Sequence, residues 1–309
     1  MILDEAYGAL VNFNLIMPPL IIKRMHPRII LNDKLMNTTR ARVQAVTGLS
    51  LYGRGVFTTL AIYNNQPFLW SQHFARLMLH AARLSLDASA IDEARLKAQL
   101  EHLIDANKVS EGRARITLLA RDGTGLWQAV ETNSGNKTDV LIITGDRRAQ
   151  NADGLALTLS PFRLNTLSPI AGLKTVNYLE HILSWEEACG RQFDEAVVMN
   201  ERGEVVSTTM ANIFWTTHGT LHTPALSTGA IAGTTRARVI ELAHEAAVPF
   251  VEGVYELSDL ADADEIFLTS AGLGLALVTT FDFRNYTLSI GSPALRLREA
   301  FRQLTLEKS

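Results

Sequence analysis

The chain has 309 residues and a mass of 34.0 kDa, enough for two domains of ordinary size, each with its own core. A hydrophobic fraction of 47% with 20% charged residues is that of a soluble globular protein, and a net charge of -3 with a pI near 6.3 gives no basic field for nucleic acid or anionic lipid. A small-molecule substrate is therefore expected, and the single cysteine, Cys189, excludes an internal disulfide and fits a reducing, cytoplasmic setting.

Residues 1–35 read as a loosely attached, poorly ordered extension. Ala9 to Ile22 is apolar but too short to span a bilayer and is broken by Asn12, Asn14, Pro18 and Pro19. Asp4 and Glu5 stand where a secretion signal would carry positive charge. Domain patterning begins after Met36, which makes Met36 a candidate start.

A first α/β domain is expected over residues 43–145. Leu51 to Tyr63 reads as a glycine-rich bend running into a strand, Asn64-Asn65 as a hairpin turn, and Pro67 to Trp70 as the returning strand. Ser71 suits a helix N-cap, and Phe74, Leu77, Met78, Ala81 and Leu84 form the apolar stripe of the helix that follows, with Arg76 off the stripe. A second helix is predicted over residues 91–106, with Leu96, Leu100, Leu103 and Ile104 inward. Arg113 to Ala120 and Asp139 to Thr144 read as strands, separated by turn chemistry at Arg121-Asp-Gly-Thr-Gly125. The polar stretch 146–154 is the predicted interdomain linker.

The second domain, residues 155–309, opens with a strand over 155–159, then an irregular loop that delivers Lys174 to a helix over 178–188. That helix has Leu179, Ile182, Leu183 and Ala188 as its apolar face and is closed by Gly190. Hairpins are predicted around Glu201-Arg-Gly203 and His218-Gly219, a helix over 236–247, and a short buried strand over 265–269. Strands with interspersed helices make the class α+β.

Lys174 is the centre of the chemistry. A free lysine has a pKa near 10.4 and condenses with an aldehyde at neutral pH only if its surroundings lower that value, as apolar neighbours such as Leu173 and Val176 do. Alone this is a weak signal, since most lysines are solvated surface residues. The spacing His218-x-x-x-His222 is that of a zinc motif, but it falls in a hairpin without an adjacent glutamate, and no metal is expected. Gly53-x-Gly55 and Gly272-x-Gly274 lack the strand-helix context of a dinucleotide site.

Six separated motifs give Lys174 a context: Gly172-Leu-Lys-x-x-Asn-Tyr178, Phe193-Asp-Glu-Ala196, Gly203-Glu-Val-Val206, Ala211-Asn-Ile-Phe214, Leu221-His-Thr-Pro224 and Ala232-Gly-Thr-Thr-Arg236. In this order they resemble the class IV aminotransferase family, the fold type IV pyridoxal-phosphate enzymes that include branched-chain and D-amino-acid aminotransferases and 4-amino-4-deoxychorismate lyase. The likeness runs from about Gly53 to Val278. It implies a small N-terminal α/β domain, a larger strand-rich C-terminal domain, pyridoxal 5'-phosphate between them, and a homodimer.

Carried over residue by residue, the resemblance makes Lys174 the Schiff-base lysine, which later moves protons at the substrate α-carbon. Arg76, in His73-Phe-Ala-Arg-Leu77, matches the arginine that binds the cofactor phosphate. Thr234 and Thr235 match the backbone phosphate cup at a helix start. Thr269, Ser270 and Ala271 match the loop near the phosphate and the substrate carboxylate, and Tyr178 the residue that reaches the phenolic oxygen in some members. Taken singly, Arg76 reads better as an exposed helix arginine, the threonines as an ordinary cap, and Tyr178 as a half-buried packing residue; the functional reading rests on the set.

Ser207 is a departure, standing where the family usually places a glutamate facing the pyridine nitrogen. Glu204 lies three residues away, on the opposite strand face. A hydroxyl does not hold that nitrogen protonated as a carboxylate does, so transamination should weaken more than elimination. The motifs around Gly55-Val-Phe-Thr-Thr59 and Phe267-Leu-Thr-Ser270 look most similar to the lyase branch, yet the arginine often found after Arg121-Asp-Gly123 is missing, with Leu126 or Trp127 in its place. Arg121 and Arg54 are the candidates for a second substrate carboxylate, though each taken alone reads better as a structural surface arginine. The expected activity is amino transfer between an amino acid and a 2-oxo acid, with elimination to 4-aminobenzoate and pyruvate as the alternative. A catalytically weak or non-enzymatic relative is the third reading.

Overall fold

A computed structural model describes residues 25–121, 138–148, 154–282, 284–286 and 291–307. The architecture is α+β, with two strand-rich domains. The first sheet is antiparallel throughout, in the order β2-β1-β6-β5-β3-β4. Its strands are β1 (Met25–Leu31), β2 (Lys34–Asn37), β3 (Gly55–Tyr63), β4 (Gln66–Pro67), β5 (Gly112–Ala120) and β6 (Thr138–Gly145). A short helix, α1 (Gly48–Tyr52), precedes β3, and α2 (Trp70–Arg83) and α3 (Glu93–Asn107) follow β4.

Alternation along β3 and β5 sends their side chains to two different places. Val56, Leu60 and Ile62 of β3 and Ala114, Ile116 and Leu118 of β5 meet Leu77 and Ala81 of α2 and Leu96, Leu100 and Leu103 of α3 in one core. The opposite face, Phe57, Thr59, Arg113 and Arg115, turns toward the second domain and lines a cavity.

The second sheet has nine strands in the order β12-β11-β10-β13-β14-β7-β8-β9, with β15 on β14. They are β7 (Leu155–Leu164), β8 (Glu195–Asn200), β9 (Val205–Thr208), β10 (Asn212–Thr217), β11 (Thr220–Pro224), β12 (Phe250–Gly253), β13 (Glu265–Ser270), β14 (Gly274–Phe281) and β15 (Arg284–Asn285). The helices are α4 (Leu179–Gly190), α5 (Thr234–Glu245), α6 (Leu257–Ala261) and α7 (Pro293–Glu307). Phe214, Phe267 and Leu277 pack under α5 and α7, whereas Ile213, Trp215, Ile266 and Leu268 fill the core on the other face. Burial on both faces is why these strands read as continuous apolar runs.

The two domains meet through an edge-to-face aromatic chain. Tyr63 lies 5.4 Å from Phe68, which lies 5.7 Å from Phe301 of α7. Ala61 and Tyr63 thus close one end of the cavity-facing side of β3, and Phe57 and Thr59 leave the other end open.

Several expectations are corrected. The predicted extension 1–35 fails over residues 25–35, which form β1 and the start of β2; residues 1–24 lie outside the described residues. Ile29, Ile30 and Leu31 are buried and pair with Ile143, Ile142 and Leu141. Asn32 and Asp33 both have positive φ, the signature of a tight two-residue hairpin turn, so a chain begun at Met36 would lose β1 and bare the edge of β6. Ser71 sits inside the first turn of α2, because the buried Leu69, in left-handed conformation, is the N-cap. Asp92 caps α3 by accepting from the Arg95 N–H. On α4 the buried residues are Ser184 and Ala188, while Leu179 and Leu183 are 66% and 44% exposed. The predicted turn residues 122–125 and the linker residues 149–153 lie outside the described residues.

Candidate functional site

Lys174 is fixed by its backbone before its side chain is considered. Its N–H donates to His80 Nδ1 of α2 at 3.0 Å, and its carbonyl accepts from the Phe57 N–H at 3.0 Å. With the Val176 N–H donating to Gly55 O, the segment adds a rung to the start of β3. Gly55 permits this approach, since a Cβ there would lie 2.8 Å from Leu118 O. His80 accepts a hydrogen bond at Nδ1 and so is neutral at that nitrogen, and burial, with Arg76 second, pulls its pKa down to about 4.

The Lys174 amine lies 4.6 Å from the Phe57 ring centroid, 4.8 Å from that of Tyr178, and 3.5 Å from the Tyr178 hydroxyl, the outer limit of a hydrogen bond. It has no carboxylate partner among the described residues. Burial first, then the positive fields of Arg76 and Arg115, lower its pKa to about 7. The amine is therefore substantially uncharged and nucleophilic at neutral pH. Tyr178 stacks on His181 at 4.2 Å, and burial holds its phenol proton well above the usual range.

These groups line a cavity of about 980 Å³. Arg76, Lys174, Tyr178, Ser207, Thr234, Thr235, Thr269, Ser270 and Ala271 all lie on its wall, so the structure brings together nine sequence-selected positions from both domains. Arg76 donates to Ala232 O at 3.1 Å and to Thr58 Oγ1 at 2.9 Å, which leaves its Nε buried without a partner. Thr269 Oγ1 is likewise buried and unpartnered. His73 hydrogen-bonds Thr58 Oγ1 at 2.7 Å and Thr234 Oγ1 at 3.0 Å, which ties α2 and β3 to the start of α5. No side chain caps α5, and its N-cap is Gly233, where a Cβ would lie 2.1 Å from Asn212 Oδ1.

Orphaned donors on Arg76 and Thr269, beside an uncapped helix start, fit a phosphate dianion. A buried neutral lysine amine in the same cavity fits an aldehyde-bearing cofactor, so the residues present suit pyridoxal phosphate. Ser207, on β9 opposite Val198, offers only a hydroxyl to whatever ring lies there. Glu204 is engaged with Arg202 and Asn200 and does not line the cavity.

Arg54 and Arg121 are not brought to the site. Arg54 donates to Leu84 O and Ser85 O at the end of α2, and Arg121 pairs with Asp139 at 3.4 Å. The cavity arginines besides Arg76 are Arg113, Arg115 and Arg148, which sequence reading missed. Their signal was present in Arg113-Ala-Arg115, two cations on one face of a strand whose other face is apolar. The two histidines of α2 also had a signal, since His73 and His80 share the face of Leu77. His222 hydrogen-bonds Tyr255 and stacks on Trp215, and no group of three or more His, Cys, Asp or Glu side chains placed to share a metal ion occurs among the described residues. Cys189 is half-buried, and burial pushes its thiol up to about 11, away from the thiolate form that a nucleophile needs.

Comparison with known proteins agrees with this geometry. A family model described as amino-transferase class IV matches residues 55–281. A putative branched-chain-amino-acid aminotransferase of Methanocaldococcus jannaschii is 31% identical over 283 residues, covering 90% of this chain and 96% of the relative. An aminodeoxychorismate lyase of Vibrio harveyi is 34% identical over 233 residues, covering 74% and 83%. The crystal structure of a branched-chain aminotransferase from Thermoproteus uzoniensis superposes with a TM-score of 0.83 at 25% identity, covering 92% of this chain and 96% of that one. The chain belongs to the class IV aminotransferase family, the fold type IV pyridoxal-phosphate enzymes.

Proposed function

We propose that this enzyme transfers an amino group between an amino acid and a 2-oxo acid, with Lys174 as the amine that holds pyridoxal phosphate. The observation that carries the reading is the buried Lys174 amine, without a carboxylate partner among the described residues, facing the same cavity as the orphaned Arg76 and Thr269 donors. Arg76, Thr234, Thr235 and Thr269 would hold the phosphate, and Ser270 and Ala271 would meet the substrate carboxylate. Bound pyridoxal phosphate supplies an electron sink next to the substrate α-carbon. Lys174 would hold the cofactor and would move a proton at the substrate α-carbon, and the Tyr178 hydroxyl lies within reach of its amine.

Ser207 supports a second reading, elimination of the aminodeoxychorismate type. Its hydroxyl can hydrogen-bond a ring nitrogen without holding it protonated, which weakens the sink that amino transfer needs most. A homodimer goes with either reading: Leu179 and Leu183 expose one face of α4 beside Phe162, which is 38% exposed, and a second copy would cover them. No helix among the described residues is long and apolar enough to cross a membrane, and a cytoplasmic setting is part of the proposal.

The test is to supply purified enzyme with L- and D-amino acids and 2-oxo acids, and separately with aminodeoxychorismate. Formation of a new amino acid from a 2-oxo acid is expected. Pyruvate and 4-aminobenzoate without amino transfer would move the assignment to the lyase. Neither activity, with cofactor bound, would leave a non-enzymatic relative.

A further inference from the structure

We propose that His181 and Trp185 of α4 form a side-chain subsite that selects a substrate tip carrying both a hydrogen-bond donor and an acceptor, a hydroxyl or a carboxamide, over an alkyl tip of the same shape. The inference rests on the Lys174 reading above, for it takes the reacting end of the substrate to lie at that amine.

Tyr178, His181, Ile182 and Trp185 all line the cavity, the spacing of one face of α4. The face starts at the reacting end, where the Tyr178 hydroxyl is 3.5 Å from Lys174 Nζ and the Tyr178 ring stacks on His181 at 4.2 Å. Trp185 follows one turn beyond His181, about 6 Å along the helix axis. A cavity of about 980 Å³ is at the upper end of small-molecule sites, which run from about 300 to about 1,000 Å³, so it has room for a side chain beside a cofactor.

Two polar atoms on this face are buried and have no partner among the described residues, His181 Nδ1 and Trp185 Nε1. Their chemistry differs. The indole N–H only donates. Burial first, then the charge of Lys174, lowers the His181 pKa to about 4, so the ring is neutral at neutral pH. Its backbone hydrogen bond with Thr209 favours the protonated ring, which makes the imidazole the donor in it. Nδ1 has no partner, so Nε2 carries that proton and Nδ1 presents a lone pair. One turn of helix thus holds an unmatched acceptor and an unmatched donor, close enough for one small group to meet both. A hydroxyl or a carboxamide donates to Nδ1 and accepts from the indole. A carboxylate has no proton for Nδ1, an ammonium has no lone pair for the indole, and an alkyl group leaves both atoms unpaired. The chemical class is a 2-amino or 2-oxo acid with a neutral hydrogen-bonding side chain rather than a branched aliphatic one.

Calorimetric titration of the holoenzyme with non-reacting probes matched in shape tests this without turnover. The probe 5-hydroxypentanoate is expected to bind about tenfold tighter than hexanoate, and glutaramate about tenfold tighter than 5-methylhexanoate, the scale of two neutral hydrogen bonds. Trp185→Phe, which keeps a ring and removes the N–H, and His181→Leu should each bring both ratios toward one. His181→Asn, whose side-chain oxygen can stand where Nδ1 stood, should keep part of them. Cys189→Ser, on the same helix and off the cavity wall, should leave them intact. The indole proton resonance that is missing from Trp185→Phe should move when glutaramate binds the unmodified enzyme and stay when 5-methylhexanoate binds. Equal affinities within both pairs in the unmodified enzyme overturn the subsite. So does a preference undiminished in Trp185→Phe or His181→Leu, or a Trp185 resonance that bound glutaramate leaves in place. The cofactor absorbance band and its loss in Lys174→Ala read the amine separately. A band without the probe preference sinks only the subsite, and the preference without a band sinks only the Lys174 reading.

Discussion

The Arg76 end of the cavity and the Arg113 end are both cationic, but they hold their charges differently. Arg76 is tied by two N–H groups to Ala232 and Thr58, and His73 locks the neighbouring hydroxyls across the domain boundary, so its remaining donor is fixed in place. Arg113 has no such ties among the described residues. Preorganised donors lose little entropy when a group binds and suit one that stays. Lys174 lines the same cavity and feels the fields of Arg76 and Arg115.

The largest effect should come from breaking the fixed end. Arg76→Gln is expected to weaken pyridoxal phosphate binding by about 10–100-fold in a fluorescence titration, as loss of a buried charged donor implies. A change within about twofold would place the phosphate elsewhere. Ser207→Glu sharpens the contrast from the ring side: it should raise amino transfer relative to elimination by about tenfold, a barrier change of about 1.4 kcal/mol. An unchanged ratio would remove Ser207 from the account.

The pH dependence separates a shifted lysine from an ordinary one. With a pKa near 7, the uncharged fraction of Lys174 rises about tenfold from pH 6 to pH 8 and then saturates. The rate at which the cofactor-free chain captures pyridoxal phosphate should follow it and level off above pH 8. A rise of about tenfold per pH unit continuing toward pH 10 would mean an unshifted amine. The smallest effect is expected at Arg54, which caps the carbonyl end of α2. Arg54→Gln should lower stability by about 0.3–1 kcal/mol, a shift of a few degrees at most in thermal melting, with turnover unaltered.

The fixed end was legible in the sequence because it depends on motif residues, Arg76 in its helix, Thr234 and Thr235 at a helix start, and Lys174 ahead of one. The loose end was not. Arg54 and Arg121 stand near glycines in the sequence, but which arginine faces a cavity is decided by strand register. Arg113 and Arg115 share the β5 face that pairs with Ala61 and Thr59. The hairpin of β1 and β2 was hidden for another reason: Ile29 to Leu31 is a short apolar run close behind the longer one at 9–22, and its burial comes from β6, more than a hundred residues away. Leu179 and Leu183 show the converse error, because helical periodicity marks an apolar face without saying what covers it.

The central claim, that Lys174 is the amine carrying the cofactor, is tested most directly by borohydride reduction of the holoenzyme followed by peptide mapping. Irreversible attachment of the reduced cofactor to the peptide containing Lys174, absent from Lys174→Ala, is the predicted result. Attachment to a different lysine, or no attachment with cofactor bound, would contradict it.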